Sequence, residues 1–109
     1  DAATTECSDD MQITQDGAAM VLSGHCGTLT ISGDDVNVVL QSADKIVVNS
    51  SNCELVTQSA SSMVINGNSN IMVVAGTLDT LEIQGDENQV AAKTIVNPVK
   101  DSGEGNTVA

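Results

Sequence analysis

Phenylalanine, tyrosine and tryptophan are absent from all 109 residues. A globular core of this size normally leans on aromatic rings for buried area. Their absence points to a narrow interior, one aliphatic side chain deep. Arginine is also missing, and three lysines (Lys45, Lys93, Lys100) face 15 acidic residues, giving a net charge of −12. Nucleic acid is therefore an unsuitable partner, because backbone phosphates need a cationic surface. Anionic membrane surfaces are disfavoured for the same reason. Basic proteins, neutral glycans and cations stay open. No apolar run approaches the length of a membrane span, so no direct membrane insertion is expected within this chain. The sequence begins without Met and without a signal peptide, as a mature or trimmed exported region would. The apolar fraction of 40% and its regular spacing argue against disorder.

What is present is a repeat. The strand–corner–strand unit Met63-Val64-Ile65-Asn66-Gly67-Asn68-Ser69-Asn70-Ile71-Met72-Val73-Val74 returns around Gly85–Asn88 and again around Gly103–Asn106. Ile13, Ile31, Val48, Ile65 and Ile83 form a column with spacings of 18, 17, 17 and 18. Met11, Leu29, Ile46, Met63 and Leu81 keep the same spacing. Three further columns start at Met20, Leu22 and Cys26. Within each strand, apolar and polar residues alternate, as in a half-buried strand. A unit of 17–18 residues is too short for a strand, a helix and a return, but it fits one rung of a coiled parallel sheet. A β-sandwich of short antiparallel strands also produces regular turn signals. Constant register favours the coil, which requires it. The expected fold is all-β: a single-domain parallel β-helix of five to six rungs over residues 11–109, preceded by an N-terminal lead-in or cap over 1–10 without strand pattern. The corner glycines (Gly33, Gly67, Gly85, Gly103) are expected to supply positive φ. The corner asparagines are expected to tolerate the left-handed region and to bond the next rung, forming a ladder.

Counting back about one rung from Cys26 arrives beside Cys7, so both can occupy one inward column on neighbouring rungs. That is close enough for a disulfide. Cys53 falls at the corner position held by Asn70, Asn88 and Asn106 elsewhere and is expected to be a free, partly buried thiol.

The Gly67–Met72, Gly85–Val90 and Gly103–Val108 segments resemble the Gly-Ser-Gly-Asn-Thr-Val repeat of an actinobacterial family, domain of unknown function 3060. The pair Cys7 and Cys26 is similar to that family's paired cysteines. The resemblance runs from Cys7 to Val108 and departs from the motif at Gln15–Ala18 and Ser50–Cys53. It implies a secreted or cell-envelope location, with a lipid anchor on a segment before Asp1 as one form of it. It carries over no activity.

Catalytic patterns are sparse. Polysaccharide lyases on β-helices need basic residues and calcium-holding acids. Left-handed acyltransferases need a hexapeptide repeat and a histidine between subunits. His25 sits beside Cys26, but a disulfide-bonded Cys26 cannot be a nucleophile. The residues after each corner glycine place carboxylates on one edge: Asp16, Asp34 and Asp35 near the start, and Asp86, Glu87 and Glu104 near the end. Oxygen-rich edges suit Ca²⁺, although the nonapeptide of calcium β-rolls is missing. A solvated edge that blocks sideways sheet pairing is the simpler reading. The sequence thus leads to a non-enzymatic, exported envelope module that contacts a protein or glycan, without a resident cofactor. A glycan-active enzyme and a weak calcium-binding module are the alternatives. The last rung, ending within a strand at Thr107-Val108-Ala109, suggests a monomer or a weak dimer through that rung.

Overall fold

The computed structural model describes residues 3–7 and 9–109, and it is a parallel β-solenoid. Strands β1 (Ala3–Glu6), β2 (Met11–Ile13), β3 (Ala19–Ile31), β4 (Asn37–Val48), β5 (Glu54–Ile65), β6 (Ile71–Ile83), β7 (Gln89–Ile95), β8 (Lys100–Asp101) and β9 (Thr107–Val108) build one sheet coiled on itself. All of its pairings are parallel. The expected columns are the observed Cα partners: Met11–Leu29–Ile46–Met63–Leu81, and Met20–Val38–Leu55–Met72–Val90–Val108.

Each full rung is one long strand bent twice and closed by a corner. In β4 the buried residues are Val38, Leu40, Ala43, Ile46 and Val48. Strict alternation would bury every second residue. It breaks at Gln41-Ser42 and Asp44-Lys45, where two consecutive side chains point away from the core. Each doublet turns the strand and starts a new wall. The walls enclose a filament of aliphatic side chains in which Leu29, Ile31, Ile46, Met63, Ile65, Leu81 and Ile83 are fully buried. Side chains this small fill a bore one rung high, where an aromatic ring would need room from its neighbours.

The alternation of 17- and 18-residue rungs has a local cause. Register slips between Leu22 and His25 in β3, and between Val74 and Thr77 in β6. The extra residue falls at Ser23-Gly24 and at Ala75-Gly76, leaving the corners unchanged. Gly24 takes φ +85°, and a Cβ there would meet the Cys7 carbonyl oxygen at 2.9 Å.

The first ten residues differ from the expected patternless lead-in. Ala3–Glu6 form β1 and pair with Met20–Ser23, extending the coil by part of a rung. Asp1, Ala2 and Ser8 lie outside the described residues. Backbone pairing onto an existing strand needs no alternating side-chain pattern, so polar residues serve.

Candidate functional site

The repeated corner is the chemically densest part of the molecule. Its glycines are required, but for a different reason than positive φ. Left-handed φ occurs two residues later, at Gly17, Asp35, Asn52, Ser69, Glu87 and Gly105, between 58° and 72°. Turning the peptide there aims each N–H along the coil axis: Asp35 donates to the Ser51 carbonyl at 3.1 Å, and Glu87 to that of Glu104 at 2.9 Å. Gly67, Gly85 and Gly103 instead lie directly against the carbonyl of the preceding rung (Ser50, Gly67 and Gly85), where a Cβ would overlap the oxygen. At Gly33 the same clash, with Gln15, would be at 2.6 Å.

The corner asparagines form a ladder, in the opposite direction to the one expected and without left-handed φ. Asn88 Nδ2 donates to the Gly67 carbonyl at 3.0 Å, while its Oδ1 accepts from the Asn70 amide at 2.9 Å. Asn70 does the same for Ser50 and Cys53, and Asn106 for Gly85 and Asn88. Each side chain thus caps main-chain groups of the preceding rung. Asn70 and Asn88 are completely buried, where unsatisfied amides would be costly.

The acidic column has a matching role. Asp16 Oδ1 accepts from the Asp34 amide at 2.9 Å, Asp34 Oδ1 from Ser51 at 3.0 Å, and Asp86 Oδ1 from Glu104 at 2.9 Å. Asn68 continues the column by accepting from the Asp86 amide at 2.8 Å. These side chains cap the following rung, so the corners at 67–70 and 85–88 are tied in both directions. Asp35 and Glu87 hold the exposed left-handed tips. Asp86, Glu87, Glu104 and Gly105 border a shallow open depression. Among the described residues, no three His, Cys, Asp or Glu side chains are arranged to share a metal ion.

One constellation escaped the sequence reading. His25 Nδ1 lies 2.7 Å from Ser42 Oγ, and Nε2 lies 2.7 Å from Asp44 Oδ1. A hydroxyl, an imidazole and a carboxylate in this order match a nucleophile, its base and an orienting acid. Rung register joins them, since His25 is the Cα partner of Ser42. An offset of 17 residues was the signal that could have revealed it. The array is open to water, with side-chain exposures of 56% for His25 and 69% for Asp44. There water screens the pair, and the carboxylate serves to orient the imidazole.

Cys7 and Cys26 form a disulfide, with Cα atoms 5.1 Å apart. Cys53 is free and wholly buried, where partial burial was expected. It continues the asparagine column, with Sγ 3.4 Å from the Gly33 carbonyl oxygen and 3.3 Å from Ser50 Oγ.

Residues 65–109 match the model of a family described as Protein of unknown function (DUF3060). No curated protein and no solved structure matches the chain. The DUF3060 match is shorter than the span from Cys7 to Val108 over which the resemblance was read. It covers the corners that carry both glycine and asparagine: 67–70, 85–88 and 103–106. Before it, Val36 and Cys53 occupy the asparagine position, and both are completely buried. The coil therefore keeps the same rung register through a region where the corner interior is apolar.

The wall formed by the first part of each long strand is nearly uncharged. Val21, Val39, Val56, Val73 and Ala91 are successive Cα partners along it and point outward. Val39 is 50% exposed, Val56 41% and Val73 37%, with Ile71 beside them at 40%.

Proposed function

We propose that this chain is a non-enzymatic β-solenoid of the exported cell envelope, acting as a structural or interaction module that meets a protein or glycan partner through a flat wall. The observation that carries this reading is the exposed valine ladder on a regular sheet surface, with a shallow depression at its last rungs between Ile71, Val73, Ala91 and Ala109. Contiguous exposed apolar surface marks an interaction site more often than scattered apolar residues do. The Cys7–Cys26 bridge supports an oxidising compartment.

A glycan-active enzyme is the second reading, favoured specifically by the Ser42–His25–Asp44 array. Against it, the carboxylates of Asp16, Asp34 and Asp86 are engaged with main-chain amides, and the array faces open water. An oxyanion would need preorganised donors sheltered from solvent.

The deciding experiment immobilises the chain and its Val39→Thr/Val56→Thr/Val73→Thr variant, and exposes both to purified envelope glycan and envelope proteins. Hydrolysis of an activated ester and of envelope glycan is followed in parallel with a Ser42→Ala variant. Retention that the valine substitutions abolish, with no turnover sensitive to Ser42→Ala, is the expected result. Turnover lost in Ser42→Ala would replace the module by the enzyme.

A further inference from the structure

We infer that the valine-ladder wall is a self-association surface, and that its occupant is a second copy of this chain packed wall to wall about a two-fold axis parallel to the coil. This rests on the interaction-module reading and names the partner for its flat wall.

Charge is the first argument. Among described residues of this wall, Glu6, Glu54 and Lys93 are the charged ones, a net of −1 in a molecule of net −12. The remaining −11 lies elsewhere, so most approaches of two copies oppose acidic surfaces. This wall, like the one through Thr30, Val47 and Val64 that carries Lys45, Glu82 and Lys100, opposes little like charge, and of the two it has the more exposed valine column.

Self-complementarity is the second. The valine column runs between two outward columns, one through Asn37, Glu54, Ile71 and Gln89, the other through Gln41, Gln58, Ala75 and Lys93. A two-fold axis along the coil lays the valine column on its counterpart and exchanges the flanking columns at each level. Glu54 then opposes Gln58 of the copy, and Lys93 opposes Gln89, with no like charges facing. Ile71, the large residue of its column, opposes Ala75, the smallest of the other. Such reciprocal pairing is what an isologous interface requires.

Size sets the strength. Five rungs at about 4.8 Å, and three outward columns about 6.6 Å apart, give a wall of roughly 400 Å² per copy. The pair would bury about 800 Å², below the roughly 1,200 Å² of stable complexes. The dimer is therefore weak and forms only at high protein concentration. Salt strengthens it, because screening relieves the repulsion between the acidic remainders.

Sedimentation velocity and nitrogen-15 relaxation across a dilution series from about 10 µM to 2 mM, in about 0.15 M salt, provide the test. The wild-type chain should shift towards dimer mass at the high end, with amide shift changes along Val39, Val56 and Val73. The Val39→Thr/Val56→Thr/Val73→Thr variant keeps β-branched side chains and hence the strands; it should stay monomeric with an unchanged circular dichroism spectrum. Val56→Lys, which brings two ammonium groups together, should also be monomeric, and Val108→Pro should dimerise like wild type. A wild-type chain that is monomeric at 2 mM overturns the inference, as does a dimer that survives the triple substitution or is lost only in Val108→Pro. If the monomeric chain still retains an envelope partner through the valines, the self-association falls and the interaction module stands. If neither is seen, both fall.

Discussion

Two glycine-to-alanine substitutions of identical chemistry should differ several-fold in effect. At Gly85, an added Cβ overlaps the Gly67 carbonyl oxygen and lies 2.6 Å from its carbon, both main-chain atoms of the preceding rung. Relief requires the corner to lift. That loosens the Asn88 Nδ2 bond to Gly67 (3.0 Å), the Asp86 amide bond to Asn68 (2.8 Å) and the Ser69 amide bond to Asp86 (3.1 Å). Two or three weakened bonds at about 1 kcal/mol each, with about 1–3 kcal/mol of overpacking, give a loss of roughly 3–6 kcal/mol. At Gly17 a Cβ meets nothing within 4 Å, and φ is +72°. Only the left-handed conformation is then penalised, at about 1 kcal/mol. Gly17→Asn should lose less than Gly17→Ala, because asparagine accepts that region. With no aromatic residue to report fluorescence, urea unfolding must be followed by amide circular dichroism. If Gly85→Ala is as stable as Gly17→Ala, rung contact is not what the corner glycines serve.

Asn88→Ala leaves the Asn70 amide and the Gly67 carbonyl without partners in a buried corner; a loss of about 2–5 kcal/mol is expected in the same unfolding assay. Thiol counting without reductant should find one reactive group after denaturation and none in the folded chain, because Cys53 is completely buried. Opening the Cys7–Cys26 bridge should lower stability by about 3 kcal/mol in the chain-entropy model, read as a fall in the urea midpoint. Calcium should give no saturable thermal shift at micromolar concentration, since Asp86 Oδ1 already accepts the Glu104 amide. A saturable shift lost on replacing Asp86 and Glu87 would establish a calcium site.

The coil itself was legible from counting. A period of two within strands and a constant 17–18-residue return specify which side chains face inward and which stack, so the columns and the Cys7–Cys26 bridge follow without coordinates. The corners were legible only as composition. Gly33, Gly67, Gly85 and Gly103 signal a tight bend, but whether a glycine serves φ or close approach depends on where the neighbouring rung's carbonyl lies. That is a distance between residues 17 or 18 apart. The same holds for Asn88, whose side chain reaches back to the preceding rung, and for Asp86, which caps the following one. Peptide-plane orientation at the corner decides both. The Ser42–His25–Asp44 array arises because rung stacking brings β3 beside β4 and Gly24 absorbs an extra residue just before His25. Repetition along the chain determined the register, and contact between rungs determined what each polar atom does within it.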